Sequence, residues 1–233
     1  MSLEKSILKH FQILDNVPES ILSLISNKME IIKYQKDKYI FHELENAEVV
    51  YFVIDGIVKI KKDNYKGKEV IVSIKRNGEI FGEATLFQPG DSLLYHETAQ
   101  ALTNVKIGLI LRNDFEAIIL KSPQLAKNVI QMMGLGLDNF SSIIKDNTLH
   151  DVYGKTIKSL VRLGYQYGKH QDEGKLLIDL PLSIQDLANI VGSTRETTSR
   201  SISKLKEEKL VDVSRRKIVI ENWSNFRSIS KTI

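Results

Sequence analysis

The feature that most restricts how this chain can fold is the segment at residues 182–210, LSIQDLANIVGSTRETTSRSISKLKEEKL, in which two amphipathic runs meet at a glycine. The first run follows Ser183, a residue type that caps helix N-termini, and Gly192 ends it. The pattern predicts two short helices joined by a tight turn, which is a helix-turn-helix. The apolar side chains of the first helix that we expect to be buried are Ile184, Leu187, Ala188 and Val191.

The second predicted helix has one apolar and one polar face. Its cap is Ser193 or Thr194, and Ser193 with Glu196 has the S-x-x-E form of a capping box. Ile202 and Leu205 are expected to face the first helix. An arginine fork can pair with guanine O6 and N7, and a glutamate can accept from cytosine N4, so the polar face suits the major groove. The predicted base-contacting residues on that face are Arg195, Glu196, Ser199 and Arg200. The alternative is a solvated helical hairpin in an all-α domain.

Residues 210–220, LVDVSRRKIVI, form two short β-type runs around a basic turn. This pattern predicts a winged variant of the helix-turn-helix, with the turn beside the sugar-phosphate backbone. The alternative is an ordinary soluble hairpin. The residues predicted to contact the DNA backbone, through side chains or free N–H groups at helix starts, are Ser183, Gln185, Ser193, Thr194, Thr197, Lys204, Arg215, Arg216 and Lys217.

Positive charge is concentrated in the same part of the chain. Residues 151–233 contain 15 Lys and Arg against 10 Asp and Glu, whereas the preceding residues contain 18 against 19. Binding to phosphates requires such an excess, and it should weaken steeply as salt rises.

Other features of the composition exclude several classes of function. The sequence has no cysteine, which excludes disulfides, thiolate metal sites and a cysteine nucleophile. The five histidines show no metal-ligand spacing, and no nucleophile with a base is found, so we predict neither a metal site nor an enzyme. No apolar run is long enough to span a bilayer, and the N-terminus lacks a signal-peptide pattern. We therefore expect a cytoplasmic protein with no membrane partner and no cofactor.

From about residue 31 to residue 111 the chain consists of short runs rich in Val, Ile, Tyr and Phe. The regular strands and turns predict an antiparallel barrel or jelly roll, and a helix is expected before it at residues 18–29. Helices and strands do not alternate, so a parallel sheet is not expected. The predicted strands are at residues 49–54, 57–61, 69–74 and 105–111, with turns at Asp55-Gly56, residues 64–67 and Asn77-Gly78.

Residues 123–147 predict one long helix. Apolar residues repeat in alternating steps of four and three, which is the spacing of a coiled-coil seam, and Val129, Met132 and Ile143 add a second apolar side. One side can pack on the barrel and the other on a second copy of the chain. The two recognition helices of such a dimer would match a palindrome with half-sites roughly 34 Å apart. Gly134 and Gly136 suggest a close approach or a bend. The alternative is a helix buried in its own domain. The predicted dimer contacts are Ile130, Met133, Leu137, Phe140 and Ile144.

Nearly the whole chain resembles the CRP/FNR family, which comprises the cyclic-AMP receptor protein, the fumarate-nitrate regulator and their relatives. The segments that carry the resemblance are YFVIDGIVKI, NGEIFGEATLF, HDVYGKTIKSLVRL and, most specifically, IVGSTRETTSRSISKLKEEKLV. The resemblance implies an α+β fold with an N-terminal antiparallel β-roll of jelly-roll, cyclic-nucleotide-binding-like type at residues 1–120, a long dimerisation helix and hinge at 121–149, and a C-terminal winged helix-turn-helix domain at 150–233. It also implies a bacterial transcription regulator, a homodimer that binds palindromic double-stranded DNA, contacts RNA polymerase and is gated by an effector in the β-roll.

The resemblance extends to the predicted base contacts. Arg195, Glu196 and Arg200 match the base-contacting positions of the cyclic-AMP receptor type, while Glu196, Ser199 and Arg200 match the E-x-x-S-R pattern of the fumarate-nitrate type. Both imply a half-site with a TGA core, in the form TTGA or GTGA.

The effector site departs from the family pattern. Gly82 and Glu83 match the family's Gly-Glu pair, but Tyr95 and His96 stand about where an arginine and a Ser or Thr should bind the cyclic phosphate. Without a guanidinium a buried phosphodiester would leave its charge unpaired, so cyclic AMP is not expected. His96 could bind another effector or a haem iron, although a lone histidine is more often a surface residue. The residues predicted to line an effector pocket are Gly82, Glu83, Tyr95, His96 and Phe140. An unknown small anion or aromatic molecule, a protein partner and effector-independent DNA binding all remain open.

Overall fold

The computed structural model of the protein describes residues 5–64, 67–90, 93–214 and 216–233. The chain forms two compact units, one up to Leu137 and the other from Asp138 onward. Every strand pairing among the described residues is antiparallel, which confirms the α+β prediction and the absence of a parallel sheet in this part of the chain.

The first unit is a β-roll made of two four-stranded sheets, with strand orders β1-β8-β3-β6 and β2-β7-β4-β5. Its strands are β1 Glu30–Tyr34, β2 Tyr39–Phe41, β3 Val49–Asp55, β4 Ile57–Asp63, β5 Glu69–Arg76, β6 Ile80–Phe81, β7 Thr98–Ala101 and β8 Val105–Leu111. Its helices are α1 Lys5–Leu8, α2 Glu19–Lys28 and α3 Arg112–Leu120, and the long helix α4, Pro123–Leu149, begins here. The predicted helix and strands are therefore confirmed, with boundaries that differ by one or two residues.

Alternation along β3 divides the core of this unit into two layers. Tyr51 and Val53 point between the two sheets, whereas Val50 and Phe52 point outward and are covered by α1 to α3 and the start of α4. Gly56 makes the tight turn between β3 and β4, because its φ is 90° and an added Cβ would lie only 2.3 Å from the carbonyl oxygen of Asn104.

The long helix α4 continues without interruption from Pro123 to Leu149, slightly beyond the predicted end. Leu125 and Val129 are buried in the core of the first unit, and Met132 and Met133 pack against the same core. No described atom of the chain outside the helix's own backbone lies within 4 Å of a Cβ built on Gly134 or Gly136, so the predicted close approach is not made within the described part of the chain.

The second unit contains the remaining elements. They are α5 Val152–Tyr167, β9 Gly168–His170, β10 Leu176–Ile178, α6 Ile184–Val191, α7 Arg195–Glu207, β11 Val211–Ser214, β12 Lys217–Ile220 and α8 Trp223–Thr232. The two predicted wing strands belong to a four-stranded sheet with the order β11-β12-β10-β9. The sequence analysis did not predict β9, β10 or α8. None of the helices in the described residues is long and apolar enough to cross a membrane.

Candidate nucleic-acid interface

The first helix of the predicted motif is α6, and its N-terminus is closed by a capping box. Ser183 Oγ accepts from the N–H of Asp186 at 3.0 Å, and the N–H of Ser183 donates to Asp186 Oδ2 at 2.9 Å. The predicted cap at Ser183 is confirmed, although its hydroxyl is already occupied. Leu187, Ala188 and Val191 are buried as expected, and Ile184 is half-buried.

The turn between the helices contains a glycine in the left-handed conformation, and a threonine caps the helix that follows. Gly192 has a φ of 72°, a conformation that costs glycine little. Thr194 is the N-cap of α7, because its Oγ1 accepts from the N–H of Thr197 at 3.2 Å. The capping box predicted for Ser193 and Glu196 is wrong, since the start of the helix lies one residue later. The N–H of Ser193 donates to the carbonyl of Ala188 at 3.0 Å and is therefore not free.

Helix α7 has one buried face and one exposed face. Thr198, Ile202 and Leu205 are buried against the rest of the second unit. The four predicted base-contacting side chains share the exposed side: they are Arg195, Glu196, Ser199 and Arg200. Within the described residues none of these four side chains has a hydrogen-bond or ion-pair partner, so their donors and acceptors remain available.

Beside this face lies an open cleft of about 390 Å³ between the start of α5 and the middle of α7. Its lining residues are Asp151, Val152, Tyr153, Thr197, Arg200, Ser201 and Lys204. Asp151 caps α5 by accepting from the N–H of Gly154 at 2.8 Å. Thr197, Arg200 and Lys204 were predicted from the sequence to lie at the DNA interface. Val152 and Tyr153 of α5 were missed, because the only local signal near them is the capping residue Asp151.

Lys204 is held within this cleft by two neighbours. Its Nζ lies 4.3 Å from the ring centroid of Tyr153 and 3.9 Å from Glu208 Oε1. The Tyr153 hydroxyl donates to Glu208 Oε2. Burial raises the pKa of Tyr153, and the hydrogen bond with Glu208 raises it further. The phenol therefore stays protonated and remains a donor at neutral pH.

The wing forms at the predicted residues, but one of its cations is not free. β11 and β12 pair from Ser214 with Lys217, and Arg216 lies in the turn with a φ of 63°, while Arg215 lies outside the described residues. Lys217 Nζ is 3.1 Å from Asp179 Oδ1, and Lys169 Nζ is 3.2 Å from Asp179 Oδ2. These two ammonium groups lower the pKa of Asp179. Sequence reasoning missed Asp179, which the antiparallel sheet brings to Lys169, ten residues earlier, and to Lys217 of the wing.

Of the remaining predicted backbone contacts, Gln185 is exposed on α6. Its Nε2 donates to Asn189 Oδ1 at 2.8 Å, which fixes the amide along the helix. An exposed amide of this kind can still offer its second N–H to a phosphate oxygen.

In the β-roll, three of the predicted effector residues lie together. Gly82 has a φ of 79°, and an added Cβ would lie 3.5 Å from Cε1 of Tyr95. Glu83 Oε1 is 3.1 Å from Lys75 Nζ. Lys75 was not predicted at this site, because it lies on β5, before the Gly82-Glu83 segment, and nothing local in the sequence links it to Glu83.

Tyr95 fills the interior of the β-roll. Its side chain is 3% exposed, its ring stacks on Phe41 with centroids 3.8 Å apart, and its hydroxyl donates to the carbonyl of Val49 at 2.7 Å. His96, the next residue, is exposed and does not face this interior. Phe140 belongs to the second unit, where it is exposed.

Comparison with known protein families agrees with these two units. The model of the cyclic nucleotide-binding domain matches residues 31–122. The model of the Crp-like helix-turn-helix domain matches residues 154–229. The chain belongs to the CRP/FNR family of transcription regulators. It is therefore a DNA-binding regulator of the bacterial CRP/FNR type, and α6 and α7 are the two helices of its helix-turn-helix motif.

Individual CRP/FNR-family members align over most of this chain. The anaerobic regulatory protein of Bacillus subtilis (strain 168) is 29% identical over 193 residues, which cover 83% of this chain and 79% of that protein. The global nitrogen regulator of Synechococcus elongatus is 28% identical over 196 residues, covering 83% and 86%. The structure of FixK2 from Bradyrhizobium japonicum has a TM-score of 0.73 at 24% identity and covers 86% of this chain and 96% of that one. The last likeness shows the fold alone.

One side of α4 exposes apolar side chains. Ile130, Leu137 and Ile144 are 70%, 68% and 67% exposed, and Phe140 is 46% exposed. Met133, the fifth residue predicted at the seam, is half-buried and packs against the core of the first unit. Four of the five predicted seam residues thus present apolar surface that the described chain leaves uncovered.

Proposed function

We propose that this CRP/FNR-family regulator binds, as a homodimer, a palindromic operator whose half-sites have a TGA core in the form TTGA or GTGA. The observation that carries the proposal is the exposed face of α7, where Arg195, Glu196, Ser199 and Arg200 have no partner within the described residues. An exposed polar face on a helix whose other face is buried can enter the major groove without disturbing the core.

The side chains on this face suit the proposed half-site. An arginine can donate two hydrogen bonds to guanine O6 and N7, and Glu196 can accept from cytosine N4 on the opposite strand. Thr197 and Lys204 lie on the adjacent surface of α7, where they can contact phosphates. This division assigns base selection to the first turns of α7 and general affinity to the surrounding hydroxyls and cations.

The proposed dimer contact is the exposed stripe on α4. Ile130, Leu137 and Ile144 repeat in steps of seven residues, the period at which a helix presents one seam to a parallel partner. Burying each such side chain yields about 1.5–3 kcal/mol, and a symmetric interface buries each one twice. We propose that a second copy of this chain covers the stripe and that the dimer acts on transcription together with RNA polymerase.

The interior of the β-roll favours a second candidate, which is a regulator that binds DNA without a small-molecule effector or cofactor. Tyr95 packs there against Phe41 and satisfies its hydroxyl on Val49. A cyclic phosphate would have to displace this buried phenol, and the nearby cation, Lys75, is already paired with Glu83. Control by a protein partner is compatible with the same observation, whereas control by cyclic AMP is not expected.

A mobility-shift titration on a duplex containing TTGA-N6-TCAA tests the proposed function. Arg200→Ala should weaken operator binding by about 1–3 kcal/mol and relax base preference at one position of each half-site. Lys206→Ala is the matched control, because Lys206 lies on the same helix and pairs with Asp212. Unchanged operator affinity in the Arg200 variant would refute the assignment.

Cyclic AMP in the same titration should leave the affinity unaltered. A tenfold or greater gain in affinity would show that Tyr95 moves aside for a nucleotide, and would remove the effector-independent candidate.

A further inference from the structure

We infer that Tyr153 is a positioning residue for DNA binding, which holds the ammonium group of Lys204 at the edge of the cleft that Arg200 also lines. The inference rests on the proposed function, namely that the exposed face of α7 meets DNA. It adds a residue from α5, outside the helix-turn-helix, to the apparatus that sets general affinity.

The geometry of three side chains carries this inference. Lys204 Nζ lies over the Tyr153 ring, 4.3 Å from its centroid, which is within the range of a cation–π contact. The Tyr153 hydroxyl donates to Glu208, so both ends of the phenol are engaged. Glu208 Oε1 lies 3.9 Å from Lys204 Nζ, near the outer limit of an ion pair. The ring therefore supports the cation, while its hydroxyl holds the carboxylate beside it.

The arrangement matters because the side chain of an unsupported lysine must become ordered when it binds a phosphate. A lysine side chain loses rotamer entropy when a phosphate fixes it. A side chain that already rests on an aromatic ring loses less on binding, which is the gain from preorganisation. Lys204 is 58% exposed at this position, so its charge remains accessible to a phosphate.

Arg200 and Lys204 are one helical turn apart and both line the cleft. Arg200 is proposed to read a base, so Lys204, held one turn away on the same cleft, is placed to contact a neighbouring phosphate. Loss of the support from Tyr153 should therefore weaken binding to every sequence equally, because phosphates carry no sequence information.

A double-mutant cycle on the full-length protein tests the inference. Fluorescence anisotropy would be measured for wild type, Tyr153→Ala, Lys204→Ala and the double variant, on the TTGA-N6-TCAA duplex and on a scrambled duplex, at salt from about 50 to about 200 mM. Lys204→Ala should reduce the salt slope by about one per protomer and weaken both duplexes alike. Tyr153→Ala should weaken both by about two- to fivefold per protomer, the size of an exposed cation–π contact.

The decisive result is the absence of additivity. In the Lys204→Ala background, Tyr153→Ala should cause no further loss, because the residue acts through Lys204. A full additional loss in that background, or an unchanged affinity in Tyr153→Ala, would overturn the inference. Tyr153→Phe is measured in the same double-mutant cycle. It keeps the ring but frees Glu208 to pair with Lys204, so it should cause a smaller loss of DNA affinity, and this loss should again disappear in the Lys204→Ala background.

Matched controls separate positioning from folding and from the proposed function. Tyr165→Ala removes an exposed tyrosine from the same helix, and it should leave the salt slope and affinity unchanged. Equal thermal stability of the Tyr153 variants and wild type shows that folding is intact, and Tyr153→Phe serves if the alanine variant does not fold. Failure of the wild type to prefer the operator over the scrambled duplex would defeat the proposed function, whereas the cycle on scrambled DNA would still decide the role of Tyr153.

Discussion

Arg162 donates from Nη1 to Asp146 Oδ2 at 3.1 Å, and this ion pair joins the last turns of α4 to the middle of α5. Both side chains are 17% exposed, so the pair is only partly screened by water. Burial lowers the pKa of Arg162, and the charge of Asp146 acts in the opposite direction. A second bond, from Nη2 to Ser159 Oγ at 3.2 Å, fixes the guanidinium on its own helix.

Removal of the Asp146 charge should destabilise the second unit. We expect Asp146→Asn to lower its free energy of unfolding by about 1.5–3 kcal/mol, the range for a hydrogen bond to a charged group. Urea unfolding followed by circular dichroism measures the change. Asp138→Asn, an exposed change on the same helix, is the control and should have no such effect. Equal stability of the two variants would show that solvent screening removes the value of the pair.

Asp179 should restrain the affinity of the wing for DNA. Its carboxylate pairs with both Lys217 and Lys169, so Asp179→Asn leaves both ammonium groups more available to phosphates. We expect tighter binding to operator and scrambled duplexes alike, by about 0.2–1 kcal/mol, and a steeper salt slope. Asp172→Asn, which removes an exposed carboxylate from the same unit, controls for the change in net charge. Weaker binding in Asp179→Asn would mean that Asp179 positions Lys217 for the phosphate.

Local signals in the sequence were sufficient for the helix-turn-helix. The cap at Ser183, the left-handed Gly192 and the apolar spacing that buries Ile202 and Leu205 all act within a few residues of each other. The sequence left the cap of the second helix open between Ser193 and Thr194, because two adjacent hydroxyl residues can serve the same helix; the structure selects Thr194, and the remaining error was the capping box of Ser193 with Glu196.

Contacts between residues distant in sequence could not be predicted in this way. Tyr153 and Glu208 are 55 positions apart, and nothing near either residue marks the other. Tyr95 illustrates a second limit. Its position beside Gly82 was predicted, but only the packing around Phe41 decides that the ring fills the interior of the β-roll. The strands β9 and β10 are three residues long, too short for alternation to distinguish them from loop.

The partly buried carboxyl of Glu97 should destabilise the β-roll at neutral pH. Burial raises its pKa above the ordinary 4.5, Glu83 and Glu43 raise it further, and Lys75 and Lys62 oppose them. A raised pKa in the folded state means that folding favours the protonated carboxyl. The contribution of Glu97 to the stability of the β-roll is therefore fully present below the unfolded pKa and is lost as pH rises through the folded pKa. We expect Glu97→Gln, which cannot ionise, to raise the melting temperature at about pH 8 and to leave it unchanged at about pH 4.

The control for this prediction is Glu30→Gln, an exposed substitution in β1 of the same unit. Differential scanning calorimetry of both variants at the two pH values separates ionisation from a general effect of the amide. A gain in melting temperature at both pH values would attribute the effect to packing and contradict the role of charge.

The exposed stripe on α4 should determine the oligomeric state. Ile144 is 67% exposed and Leu137 is 68% exposed, although both are aliphatic side chains whose exposure to water is unfavourable. Ile144→Glu would place a carboxylate at the seam of each protomer, and two like charges would face each other across the symmetry axis. We expect this variant to sediment as a monomer in analytical ultracentrifugation and to lose most of its affinity for the full palindrome.

Lys145→Glu is the matched control for the dimer, because it introduces the same residue at the adjacent, exposed position of α4, outside the predicted seam. It should sediment as wild type does. The comparison removes general effects of charge, since this control alters the net charge by more than Ile144→Glu does. A dimer that persists in Ile144→Glu would show that the stripe lies outside the interface between copies. A monomeric variant that still bound the full palindrome with wild-type affinity would show instead that paired recognition helices are not needed, and the proposed division of the operator into two half-sites would then fail.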